Sequence, residues 1–228
     1  MEIKDKIVVI TGGSKGLGKV LAYAFRQAGS TVIISARKMA ELEKAAAEIG
    51  AIPMVADVTK EPDLLSLATK VVESYGRIDI WINNAGIWMP PAPIETTNWK
   101  RAHDLIEVNL FGTVYGSKAA LIPMRKQNAG VIVNILSTSA LDGRSGSSAY
   151  GASKYAALGF TKSLRKEVAD DKISVIAVYP GGMQTNLFDE KKPEDIGNYM
   201  PPYYVAEKII ANIERTVPEE ELIIRRSA

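Results

Sequence analysis

Tyr150 and Lys154 stand four positions apart, in the run Tyr-Gly-Ala-Ser-Lys. On a helix that spacing puts a phenol and an ammonium on one face, where both can reach a single cleft. A nearby cation favours the phenolate and brings a tyrosine toward the range useful for general acid–base work. The same spacing also arises on solvated helices, so the pair needs a partner. Ser137 is one, placed at the end of an apolar run where strand C-termini of open α/β sheets face a ligand crevice. Its neighbours Thr138 and Ser139 leave open a plainer role, loop hydroxyls capping backbone groups. Near the N-terminus, Thr11-Gly12-Gly13-Ser14-Lys15-Gly16-Leu17-Gly18 follows one apolar run and opens an amphipathic one. In a βαβ unit such a turn lets backbone approach a phosphate closely and offers helix N-terminal amides, which points to dinucleotide binding. Its spacing, T-G-x-x-x-G-x-G, differs from the common G-x-G-x-x-G fingerprint.

These residues need elements to hold them, and the chain supplies a regular alternation. Short β-branched runs at Ile7–Ile10, Thr31–Ile34, Ile52–Ala56, Ile78–Ile82, Val131–Leu136, Ile173–Tyr179 and Glu221–Ile224 read as strands. Between them lie helical patterns, such as Leu17, Val20, Leu21, Ala24, Phe25 and Ala28, closed by Gly29. Longer helices are predicted over Asn98–Lys126 and Ser148–Ala169, and a last one over Tyr204–Thr216. Strands apolar on both faces belong to a parallel sheet covered on each side. The expected fold is therefore α/β, a doubly wound parallel sheet of seven strands with helices on both faces, in a single domain over residues 1–228. The stretch from Gly181 to Pro202 is the one long irregular segment, a length that is usually functional.

Composition narrows the chemistry. The 228 residues carry 28 Lys and Arg against 26 Asp and Glu, a net charge of +2 that gives no support to nucleic-acid or membrane-surface binding. With no cysteine, thiol catalysis and Cys-ligated metals are excluded, and one histidine, His103, leaves neither a multi-His metal site nor a Ser-His pair of the hydrolase type. His103 itself, among Arg101, Asp104 and Glu107, reads as a solvated or interface residue. No apolar run reaches membrane-spanning length, and the expectation is a cytoplasmic protein with no metal.

Taken together, the motifs resemble the short-chain dehydrogenase/reductase family from Thr11 to about Ile224. Asn83-Asn84-Ala85-Gly86 after the fourth strand, Asn109 in the long helix, and Pro180-Gly181 with Thr185 after the sixth strand complete the resemblance. It implies a Rossmann-type fold, an NADP(H) cofactor and a small-molecule carbonyl or alcohol substrate. Tyr150 would protonate the carbonyl oxygen, Ser137 would hydrogen-bond it, and Lys154 would hold the nicotinamide ribose and lower the Tyr150 pKa. Asn109 would position a water joining Lys154 to solvent. Gly12, Ser14, Lys15, Gly16, Leu17 and Gly18 would cradle the cofactor, with Asp57 and Val58 at its adenine. Asn84, Ala85 and Gly86 would lie along it, and Pro180, Gly181, Gly182 and Thr185 at its nicotinamide end. Alternatives are a 3-oxoacyl-carrier-protein reductase and a non-catalytic NADP-sensing module.

Three finer expectations follow. Ala36 stands where NAD-type members carry Asp, and Arg37 with Lys15 can grip a 2′-phosphate, with Ser14 and Ser35 as nearby hydroxyls. Trp88, Met89, Leu141, Met183, Leu187 and Phe188 as crevice lining would favour an uncharged or weakly polar substrate. Leu105, Ile106, Leu110, Phe111, Val114, Ala156, Ala157, Phe160 and Leu164 exceed what one sheet face can bury, which points to a homo-oligomer, a tetramer or dimer.

Overall fold

Every residue of the first strand, β1 (Ile7–Thr11), is buried, because alternate side chains feed two separate cores. Val8 and Ile10 join one apolar cluster; Ile7 and Val9 join the other. A strand with no polar face must lie inside a sheet covered on both sides. The computed structural model describes residues 1–226 in this way; Ser227 and Ala228, included in the single-domain expectation, lie outside the described residues.

Seven strands form one sheet in the order β3-β2-β1-β4-β5-β6-β7, every neighbouring pair parallel. Beyond β1 they are β2 (Thr31–Ala36), β3 (Ile52–Val55), β4 (Ile80–Asn83), β5 (Gly130–Ile135), β6 (Ile173–Pro180) and β7 (Glu221–Ile224). Helices α1 (Gly16–Gln27), α2 (Met39–Ile49) and α7 (Pro202–Glu214) bury their apolar stripes on one face. The other face carries α3 (Glu61–Tyr75), α4 (Trp99–Ile106), α5 (Gly112–Gln127) and α6 (Ser148–Glu167). This is the doubly wound architecture that the alternation predicts. None of the described helices is long and apolar enough to cross a membrane.

Two departures from the expected elements matter. The helix predicted over Asn98–Lys126 is broken by a π-helical turn at Glu107–Phe111, between α4 and α5. Strand β4 begins at Ile80 rather than Ile78, because the Ile78 N–H is already taken by the Gln127 side chain at 3.0 Å. Beneath the C-terminal edge of the sheet runs a buried polar chain. Asn83 Nδ2 donates to Ser117 Oγ at 3.0 Å and to Asn134 Oδ1 at 2.8 Å, and Asn134 Nδ2 donates to Thr161 Oγ1 at 3.0 Å. Each bond is satisfied within the core, so the chain ties β4 and β5 to α5 and α6 without leaving orphaned donors.

Candidate active site

The sequence diverges at β1: strands β2 and β3 lie to one side, β4 to β7 to the other. At such a switch point the C-terminal strand ends splay apart and leave a crevice. Here it is a cleft of about 820 Å³, running from Lys15 and Arg37 at one end to Tyr150, Trp88 and Phe188 at the other.

The glycine turn forms its floor. Gly12 sits at φ +66°, and a Cβ there would lie 2.8 Å from the Cα of Ala85, so only glycine lets the turn nest against the segment after β4. Thr11 Oγ1 accepts from the Asn84 and Ala85 N–H groups, both at 3.1 Å. Asn84 Nδ2 returns two bonds, to Thr11 O at 2.9 Å and Gly12 O at 3.2 Å. Asn84 thus locks the floor as well as lining it. Thr11 opens the glycine motif in the sequence, but its own role, tying the turn to the segment after β4, becomes visible only once its partners are placed.

Tyr150 and Lys154 both lie on the buried face of α6 and line the cleft with Ser137, as the spacing predicts. Lys154 is 5% exposed, and its Nζ donates to Ile135 O at 3.1 Å, which leaves two protons for a ligand. Burial holds its pKa down to about 8. Burial raises the Tyr150 pKa, opposed by hydrogen bonding to the Ser137 hydroxyl and by the charge of Arg144. The Lys154 Nζ is 6.0 Å from the phenol ring centroid. Ser137 Oγ accepts from the Ser139 N–H at 3.1 Å, which orients its own proton outward into the cleft.

Most of the expected residues line this one cleft: Gly12, Ser14, Lys15, Gly16, Leu17, Arg37, Asp57, Val58, Asn84, Ala85, Gly86, Pro180, Gly181, Gly182 and Thr185. Four expectations need correction. Gly18 does not line it; a Cβ there would meet the Gly12 carbonyl and the Asn84 amide, so its role is to let α1 approach the turn. Asn109 lies behind the wall, its amide spent on Ile87 N–H (2.9 Å), Ile87 O (3.0 Å) and Ser153 Oγ (3.0 Å). Ser35 is fully buried with an unpartnered hydroxyl and does not line the cleft. Of the apolar lining, Trp88, Met183, Leu187 and Phe188 are present, but Met89 and Leu141 are not; Leu141 packs against Leu136 and Tyr179 in a third core cluster. His103 is exposed, its Nδ1 against Trp99 O at 2.7 Å, in keeping with the solvated reading.

A segment of the long loop arches over the substrate end. Phe188 stands edge-on to Trp88, centroids 5.0 Å apart, and to Tyr199 at 5.6 Å. Arg101 pairs with Glu190 across the same opening.

The donor set fits a nicotinamide dinucleotide. A glycine floor at a helix N-terminus suits a pyrophosphate, Lys15 and Arg37 make no ion pair among the described residues, and the Lys154 ammonium reaches toward the catalytic end. Comparison with known proteins agrees. The chain is 34% identical over 217 residues to carbonyl reductase family member 4 of Xenopus laevis, covering 92% of each. It is 34% identical over 199 residues to the 3-oxoacyl-[acyl-carrier-protein] reductase of Bos taurus, covering 86% of this chain and 84% of that one. Its fold superposes, with a TM-score of 0.88 and 26% identity, on an alcohol dehydrogenase from the archaeon Thermococcus sibiricus complexed with 5-hydroxy-NADP, over 98% of this chain and 99% of that one. The family model described as short chain dehydrogenase matches residues 6–196. With the Tyr150–Lys154 pair, Ser137 and the glycine floor gathered in one cleft, the chain belongs to the short-chain dehydrogenase family of oxidoreductases.

Proposed function

We propose that this oxidoreductase interconverts a carbonyl and an alcohol with NADP(H), using Tyr150 as general acid and base. The observation that carries this reading is one cleft holding both Tyr150–Ser137–Lys154 and, at its far end, Lys15 with Arg37. A bound nicotinamide cofactor supplies or accepts the hydride. Tyr150 gives its phenolic proton to the carbonyl oxygen as negative charge develops there, and takes it back in the reverse direction. Ser137 donates to the same oxygen, and Lys154 holds ribose hydroxyls while its charge favours phenolate. Asn109 acts as a positioning residue through Ile87 and Ser153.

Preference for NADP(H) rests on Ala36, which leaves no carboxylate at the end of β2, and on the planar fork of Arg37. Glu41 lines the same end, but it is engaged by Lys38 at 2.9 Å. The test is NADPH and NADH oxidation over a panel of aldehydes, ketones and 3-oxo esters. NADPH should give the higher kcat/KM, and Ala36→Asp with Arg37→Gln should narrow or invert the ratio. A wild type that favours NADH overturns the assignment of Lys15 and Arg37.

A second reading, reduction of a 3-oxoacyl thioester on a carrier protein, draws on the relative so named. It predicts turnover of such a thioester well above that of simple ketones. A non-catalytic sensor would bind NADPH and turn over none of the panel. We further propose that the NADP(H)-dependent oxidoreductase works in the cytoplasm as a homotetramer or dimer.

A further inference from the structure

Arg144 is a charged residue of the cleft that the proposed reaction does not use; Lys191, Lys192 and Glu194, on the long loop, are others, but Arg144 alone of these sits beside Ser137 in the β5–α6 loop. It lies in the loop between β5 and α6, on a turn closed by Ser147 N–H to Arg144 O at 3.1 Å. Gly146, the third residue of that turn, has φ +71°, which a type II turn requires. The Ala92 N–H to Gly146 O bond at 2.9 Å anchors the turn to the opposite wall. The guanidinium is therefore presented by a built loop rather than a free one. Its Nη2 donates to Thr138 Oγ1 at 3.3 Å, next to Ser137 in sequence. Arg144 lines the main cleft together with Ser137 and Tyr150, and also an adjoining cavity of about 540 Å³ bounded by Gly182 and Tyr199.

No ion pair neutralises its charge, although Asp142 and Asp195 border the same adjoining cavity. Among the described residues Arg144 makes no ion pair, whereas Arg101, on the same rim, pairs with Glu190. The positive charges suited to cofactor phosphates, Lys15 and Arg37, lie at the other end of the cleft. Burial raises the pKa values of both the Tyr150 and Tyr199 phenols, with Asp195 adding to the rise at Tyr199, and the Arg144 charge opposes the rise at each. A guanidinium using one of its five donors on a neutral hydroxyl keeps a fork free, and that fork matches a carboxylate bidentately. Arg144 itself is exposed, so a ligand entering the cleft can reach the guanidinium without displacing a protein partner.

Resting on the carbonyl–alcohol reading above, we propose that Arg144 is a specificity-determining residue that binds a substrate carboxylate, so that the preferred substrates are oxo acids. This departs from the uncharged substrate expected from apolar side chains alone.

The test pairs a short series of oxo acids with their methyl esters and reads the acid-to-ester ratio of kcat/KM with NADPH. The wild type should favour the acids. Arg144→Gln should lower that ratio about 10- to 100-fold, the range for losing a hydrogen bond to a charged group, and Arg144→Lys should recover part of it. Loss of a merely structural contact to Thr138 would depress acid and ester alike and leave the ratio in place, which overturns the proposal. A second measurement is independent of turnover: calorimetric titration of the enzyme–NADP⁺ complex with alkyl carboxylates and the matching amides. Carboxylate binding weakened by Arg144→Gln supports the subsite even if no carbonyl in the series is reduced, an outcome that would sink the carbonyl–alcohol reading alone. Equal carboxylate affinity in wild type and variant overturns the subsite while leaving that reading intact.

Discussion

Lys154 is held where an ammonium is poorly solvated, and the fold bears the consequence. Its pKa falls from the ordinary 10.5 to about 8 because burial penalises the charged form. Between those values the unfolded chain binds more protons than the native one, so native stability rises with pH across that window. The full shift corresponds to about 3 kcal/mol. Tyr150 acts in the opposite sense: its raised pKa keeps a proton that the unfolded chain releases above about pH 10, so stability is lost as pH climbs further. Urea midpoints of the cofactor-free protein should therefore increase from pH 7.5 to 9.5, and Lys154→Met should flatten that increase while weakening NADPH binding and turnover. An equal increase in the variant would assign the effect to other groups. Tyr150→Phe keeps the ring and should lower kcat by about 100-fold or more, the contribution of a general acid; near-normal kcat would reject its role. The two serines separate on geometry. Ser139 orients Ser137 through its backbone N–H, which alanine retains, so Ser137→Ala should reduce kcat more than Ser139→Ala. The reverse order would show that the wrong hydroxyl has been placed on the carbonyl oxygen.

The π turn at Glu107–Phe111 links α4 to α5 and packs against α6. Its extra residue rotates Asn109 inward, where one amide holds both polar groups of Ile87 and the hydroxyl of Ser153. Ser153 in turn donates to Tyr150 O at 2.7 Å, so α6 is registered against the wall of the cleft through Asn109. Asn109→Leu orphans those buried groups and should destabilise the protein by about 2–3 kcal/mol or more in urea denaturation. It should also lower kcat more than it weakens NADPH binding, because it shifts Tyr150 and leaves the glycine floor alone. None of this turn was legible in the sequence. Apolar periodicity reports a helix over Asn98–Lys126 whether or not one residue is inserted, since the insertion only shifts register by about a quarter turn. Elements with a simple stripe, such as α1 and the seven strands, were legible because burial on a fixed period is all that defines them. The glycine turn and the Tyr150–Lys154 pair were legible for a similar reason: each is a local pattern. Thr11, Asn109 and Arg144 act through partners distant in sequence, or through a charge left unpaired by the fold, and periodicity carries neither. Ser35 failed on the opposite count, since a strand residue one position from Ala36 faces the other side of the sheet.

At the scale of the molecule, the parallel sheet converts its own edge into a site, and its outer helices still have apolar surface to cover. The strand order turns at β1 and β4, so the ends of β5 and β6 deliver Ser137 and Pro180–Gly182 to the same crevice as the glycine turn. Strand β7 closes the far edge, clamped by Arg165 to Glu221 at 2.6 Å, with the Tyr179 hydroxyl on the same carboxylate. On the other side of α6 the balance differs. Leu105, Ala157 and Leu164, expected at a subunit contact, are buried within the chain's own core. Ile106, Leu110, Phe111, Val114, Ala156 and Phe160 stay half-buried, while Trp99 is 53% and Tyr155 45% exposed. Apolar surface of this kind on adjacent helices α4, α5 and α6 suits an isologous contact with a second copy. Light scattering at micromolar concentration should give a mass of about four times 24.7 kDa, or about twice that value if only one such contact forms. Tyr155→Glu with Phe160→Glu should lower the mass, since each places a charge where a partner would desolvate it. Because Tyr155 directly follows Lys154 on α6, dissociation should also lower the melting temperature and kcat together. A wild-type protein that scatters as a monomer, with the double variant unchanged in mass and kcat, would show that these side chains serve only their own chain.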